Sequence, residues 1–120
     1  MKIYFDGGCR PNPGTMEIAA VARGQVYRRR EPEPGTSERA EWLALLHALD
    51  IAKALHATDV VLLGDSLAVI DQVNAKARRT PSTIQDLLRA FALAAEPFER
   101  VRVRHVKRSQ NLAGIALDRR

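Results

Sequence analysis

The alternation and clustering of apolar and polar residues divides the chain into nine segments of predicted structure. Lys2 to Phe5 alternates weakly as a strand does and ends at Asp6. Met16 to Ala22, with its apolar run IAAVA, reads as a second strand. Gly24-Gln25 turns the chain into a third, which starts at Val26-Tyr27 and becomes polar at Arg28, Arg29 and Arg30. EPEPGTSE is a loop, with Ser37 placed to cap the next helix. Glu38 to about His56 has no proline or glycine and is rich in alanine and leucine, which predicts a long helix. DVVLLG, Asp59 to Gly64, has the unbroken apolar character of a buried parallel strand. Asp65-Ser66 can cap a helix running to about Asn74. After the loop KARRTPS, Ser82 to Ala95 predicts another amphipathic helix that stops near Pro97. Glu99 to Val106 alternates, with Arg100, Arg102 and Arg104 on one side and Val101 and Val103 on the other. Asn111 can cap a short last helix from Leu112 to Arg120.

The order is β-β-β-α-β-α-α-β-α. Two hairpin connections and then strands that alternate with helices imply an α/β fold with a mixed sheet, its later strands parallel and joined by right-handed crossovers. A length of 120 residues fits one domain. Cys9 is the sole cysteine, so no intramolecular disulfide can form, and a reducing, cytoplasmic setting is expected. No apolar run has membrane-spanning length, and MKIYFDGG does not read as a secretory signal. The net charge of +5 and a pI of about 10 suit a polyanionic partner, although a basic soluble protein without one has the same balance.

The chemistry begins at DGGCRPNPG, Asp6 to Gly14, which strand packing does not call for. Asp6 ends the first strand and Asp65 the fourth. If those strands are parallel neighbours, their ends lie about 5 Å apart, where an open α/β sheet forms its ligand crevice. Two carboxylates there need a cation or a raised pKa. Glu41 heads the apolar stripe Ala44, Leu45, Ala48 and Ala52 and is the third candidate. The bland readings are that Asp65 only caps a helix and Glu41 only favours the helix dipole. Three oxygen ligands suit Mg²⁺ or Mn²⁺ rather than zinc, and two such ions about 4 Å apart can carry out in-line phosphodiester chemistry.

DGGCRPNPG, TSERAEWLALLHAL, GDS and VKRSQN, in that order and spacing, resemble the ribonuclease H type I family over nearly the whole chain. The resemblance implies a five-stranded mixed sheet and hydrolysis of the RNA strand of RNA–DNA hybrids. It implies metal binding by Asp6, Glu41 and Asp65, with two Mg²⁺ or Mn²⁺ ions during catalysis. Gly7, Gly8, Cys9 and Asn12 would meet the RNA strand, and Thr36 and Ser37 the nucleic-acid backbone. Pro11 and Pro13 stiffen the loop, and its backbone groups are placed to reach 2′-hydroxyls. The simpler alternatives are a stiff turn without ligand, a packing role for Cys9 and a capping role for Ser37. No membrane and no small-molecule cofactor are expected, and the chain is expected to act as a monomer.

The pattern departs from the family in the last helix. A fourth acid usually follows Asn-x-x-Ala there, and NLAGIALD has Ile115 at that place. Asp118 lies about one helical turn further and is the candidate substitute ligand. The histidine often found before this helix has no clear counterpart in KRSQ. His105 falls in the preceding strand, His47 in the apolar helix and His56 near that helix's end. A long basic insertion known in some relatives is missing, which leaves Arg78-Arg79 and Lys107-Arg108 as candidate phosphate contacts. Loss of the fourth acid predicts a nuclease of weakened activity. The alternative is a catalytically impaired nucleic-acid-binding module on the same fold. Use of the fold as a bare scaffold fits the opening loop least.

Overall fold

The structure is a computed structural model that describes residues 1–77 and 80–118. Arg78-Arg79 lies outside the described residues, as do the last two residues of the predicted final helix, Arg119 and Arg120. β1 (Lys2–Arg10), β2 (Thr15–Ala22) and β3 (Gln25–Arg30) form an antiparallel meander. There follow α1 (Ser37–Ala54), β4 (Asp59–Gly64), α2 (Leu67–Val73), α3 (Gln85–Ala95), β5 (Arg100–His105) and α4 (Leu112–Asp118). Short 3₁₀ turns at Ser82–Ile84 and Arg108–Gln110 lead into α3 and α4. The strands make one mixed sheet, β3-β2-β1-β4-β5, with β4 parallel to both β1 and β5. This is the expected element order and the expected five-stranded sheet. Among the described residues, no helix is long and apolar enough to cross a membrane.

β1 is longer than its apolar pattern predicts. It does not stop at Phe5 but runs through Asp6 to Arg10, because β2 pairs with it continuously from Ile3↔Ala22 to Arg10↔Thr15. Ladder hydrogen bonds override the poor strand propensity of aspartate and glycine. The β2–β3 turn uses Arg23 and Gly24, with φ of 52° and 77°, as a two-residue hairpin requires.

α1 is capped by Thr36, whose Oγ1 accepts from the Arg39 N–H at 3.2 Å; Ser37 is the first helical residue and not the cap. Similarly, α2 is capped by Ser66, and Asp65 is left free of that task. The stripe Ala44, Leu45, Ala48 and Ala52 is wholly buried, as expected. With Trp42 and Leu49 it packs on Ile3, Phe5, Ile18, Val60 and Leu62 of the sheet. On the opposite face a smaller cluster joins Ala19 and Val21 to Ala113 and Leu117 of α4.

Candidate active site

The strand register places the two aspartates. The last pair joining β1 and β4 is Tyr4↔Leu63, and Asp6 and Asp65 each lie two residues further along their chains. Asp6 therefore is not at the end of β1 but at the point where β1 parts from β4. Glu41 reaches them because of Gly7. A Cβ at Gly7 would collide with the Ala40 carbonyl group, so only a glycine lets α1 lie this close to β1. The Gly7 N–H then donates to Glu41 Oε1 at 2.5 Å. Oxygens of Asp6, Glu41 and Asp65 all lie within 4.8 Å of one another.

Such crowding is costly without a cation. Burial and then the neighbouring Asp65 push Asp6 up to about 6, against the opposing hydrogen bond with Glu41 and the charge of Arg108. Glu41 is pushed up to about 9, by burial first and then by Asp6, against the opposing hydrogen bond from Gly7. The metal-free cluster therefore keeps a proton, held mainly on Glu41 and shared with Asp6. Among the described residues no lysine or arginine forms an ion pair with any of the three. Hard oxygen donors without an ion-paired cation and with a raised proton affinity fit Mg²⁺ or Mn²⁺.

Asn111 holds the arrangement together, although its residue type suggested only a helix cap. It is fully buried. Its Nδ2 donates to the Phe5 carbonyl at 3.0 Å and to Asp65 Oδ2 at 2.9 Å, while its Oδ1 accepts from the Ala113 N–H that opens α4. One side chain thus ties β1, Asp65 and α4 together. A second network is equally invisible to sequence periodicity. The Trp42 Nε1–H donates to Gln72 Oε1 at 2.8 Å, and Gln72 Nε2 donates to Glu38 Oε1 at 2.8 Å. A buried indole N–H demands a partner, which was the available signal.

Asp6 and Glu41, but not Asp65, line a cleft of about 410 Å³ whose wall also includes Gly7, Gly8, Cys9, Ser37, Glu38 and Arg108. Gly8 is open, with nothing within 4 Å of an added Cβ. The single Cys9 S–H has the carbonyls of Gly35 at 3.0 Å and Pro11 at 3.1 Å as acceptors, which places the loop against the segment before α1. Asn12 Oδ1 accepts from the Ser37 N–H at 3.1 Å. Thr36 is occupied by its capping bond. Asp118 also lines the cleft, but it lies outside the close cluster, with its Oδ1 3.9 Å from Arg10 Nη2. Ile115 is half-buried on α4 and does not line the cleft; Gly114 is the α4 residue that faces Asp6.

The histidines stand apart from the cleft. His47 is buried against the Tyr27 carbonyl, and that burial lowers its pKa. His56 ends α1 in the left-handed region with φ 59°. His105 is the exposed last residue of β5, the strand position expected. Arg108 lines the cleft, whereas Lys107 does not.

A five-stranded mixed sheet with acids converging where β1 and β4 part is the ribonuclease H architecture. The chain belongs to the reverse transcriptase-like family, whose pattern it matches over residues 5–118. It is 32% identical over 132 residues to the bifunctional protein Rv2228c of Mycobacterium tuberculosis, covering 98% of this chain and 36% of that protein. The chain thus spans about a third of the length of the curated relatives it matches. The solved N-terminal RNase H domain of Rv2228c superposes with a TM-score of 0.84 at 29% identity, over 98% of this chain and 92% of that one. RNase H1 from the archaeon Halobacterium salinarum gives 0.84 at 25% identity, over 97% and 92%. LC11-RNase H1, solved in complex with RNA/DNA hybrid, shares the fold with a TM-score of 0.81 at 20% identity, over 97% and 91%.

Proposed function

We propose that the chain is a metal-dependent endoribonuclease that hydrolyses the RNA strand of RNA–DNA hybrids. The observation that carries this reading is the convergence of oxygens of Asp6, Glu41 and Asp65 within 4.8 Å of one another, beside an open cleft that Asp6 and Glu41 line. These three residues would hold two Mg²⁺ or Mn²⁺ ions, which when bound supply an activated water and charge stabilisation at the leaving oxygen. The protein's own contribution is placement. The Gly7 N–H fixes Glu41, Asn111 fixes Asp65, and the proton retained by Glu41 and Asp6 leaves when cations bind. Gly7, Gly8, Cys9 and Asn12 are the loop residues set to meet RNA 2′-hydroxyls, and Thr36 and Ser37 at the start of α1 are set beside the nucleic-acid backbone, with the Ser37 N–H already held by Asn12 Oδ1. Asp118 also lines the cleft and would have to leave Arg10 to act as a fourth ligand. With Ile115 in the usual place of that acid, activity below that of a four-acid relative and a preference for Mn²⁺ are expected.

The test is cleavage of a hybrid labelled on its RNA strand, with Mg²⁺ and with Mn²⁺. Asp6→Asn should lower the rate by about 10³-fold, or roughly 4 kcal/mol of barrier. No cleavage by the native protein with either ion sinks the proposal. The presence of Ile115 favours one other reading, a module that binds hybrid without cutting it. In that case binding falls steeply with salt and survives Asp6→Asn, while neither ion supports cleavage.

A further inference from the structure

A second feature leaves the same cleft and crosses the sheet. In the meander, Asp6 pairs with Ala19 and Ala19 with Arg28; Gly8 pairs with Glu17 and Glu17 with Arg30. Alternate residues share a face, so Arg28 and Arg30 stand on the face that carries Asp6, two strands away at roughly 10 Å. α4 covers Ala19, but the surface beside Gly8 is open. From there a concavity lined by Arg10, Thr15, Glu17 and Arg30 continues to a second lined by Glu17, Arg28, Arg29 and Arg30. Arg10 also lines the carboxylate cleft, which makes the surface continuous.

The two arginines share one carboxylate. Glu17 Oε1 lies 3.4 Å from Arg30 Nη2 and its Oε2 3.4 Å from Arg28 Nη2. The Glu17 side chain is only 14% exposed, while those of Arg28 and Arg30 are 38% and 71% exposed. One largely buried acid therefore spaces two outward guanidiniums and leaves positive charge over. Arg29 points to the other face and pairs with Glu31.

We infer that Arg28 and Arg30, spaced by Glu17, form a phosphate-binding step for the nucleic acid whose scissile strand enters the carboxylate cleft. The inference rests on the nuclease reading above for the identity of the ligand. Guanidinium forks suit phosphate oxygens in pairs. Protection of an edge strand against aggregation is the competing reason for arginines on β3. β5, the other edge, supplies the control: it carries Arg100 and Arg104 but does not line the cleft.

The test is the salt dependence of hybrid binding by the native chain in chelator, where no cleavage intervenes. Arg28→Gln with Arg30→Gln should reduce the slope of log K against log salt by between about 1 and 2, near 0.9 for each phosphate lost. Arg100→Gln with Arg104→Gln should leave the slope unchanged. Thermal melts establish that each variant is folded. If the β3 double variant does not fold, Arg30→Gln alone, at a mostly exposed side chain, should remove about half the effect. An unchanged slope, an equal loss in the β5 variant, or no hybrid binding by the native chain overturns the inference. Native cleavage with an unchanged slope removes the arginine step alone. A lowered slope without native cleavage removes the nuclease reading and keeps the step.

Discussion

The two faces of the sheet are built differently. One buries Trp42, Leu45, Leu49 and a dense set of strand residues beneath α1. The other buries Ala19, Val21, Ala113 and Leu117 beneath the short α4, next to Asp6. The thick face provides stability. The thin face leaves Asp6 near the surface and gives up apolar burial so that a cleft can open beside it. Glu41, on α1 of the thick side, meets Asp6 because Gly7 lets α1 lie against β1 and its N–H holds the Glu41 carboxylate.

Four experiments bear on that contrast. Trp42→Ala on the thick face should cost about 3–5 kcal/mol in denaturant unfolding, whereas Leu117→Ala on the thin face should cost nearer ~2 kcal/mol. Equal losses would show that the faces share the load. Asn111→Ala leaves the Phe5 carbonyl and Asp65 without their partner, for a cost of about 1–3 kcal/mol, and should reduce cleavage by more than that loss of stability explains. Gly7→Ala, which drives a Cβ into the Ala40 carbonyl, should cost about 1–3 kcal/mol. Gly8→Ala, with open space around it, should stay within about 0.5 kcal/mol.

The fourth experiment uses pH. Asp6 is raised from 3.8 to about 6, and Glu41 from 4.5 to about 9. The folded state then binds more protons than the unfolded one over that span. Metal-free stability from these groups is whole below about pH 4 and is lost as pH rises toward 9. Thermal melts without metal should show a falling Tm across that range, and added Mn²⁺ should restore it at the alkaline end. Asp6→Asn should raise the metal-free Tm at pH 8 by about 4–8 °C, the equivalent of about 1 kcal/mol.

Much of this architecture was legible in the sequence because periodicity carries it. The α1 stripe and the DVVLLG strand both lie where their apolar patterns placed them. The three acids were legible because Asp6 and Asp65 follow predicted strands and Glu41 heads the apolar stripe of the long helix. What failed depends on contacts between distant segments. The extension of β1 through Gly7 and Gly8 needs β2 beside it. Adjacent hydroxyls in Thr36-Ser37 cannot be told apart as caps without backbone angles, and the same holds for Asp65-Ser66. The need for glycine at position 7, set by the approach of α1, was not visible before the fold. Asn111 reads locally as a cap, and only the fold shows its hold on Phe5 and Asp65.

The Trp42–Gln72–Glu38 relay has a practical consequence. Trp42 is the chain's only tryptophan. Its indole N–H is one glutamine away from a carboxylate on the cleft wall. A ligand that pulls on Glu38 alters the hydrogen bond at the indole, and with it the emission of the sole strong fluorophore. The molecule carries its own optical reporter, so occupancy of the cleft can be followed without attaching a dye.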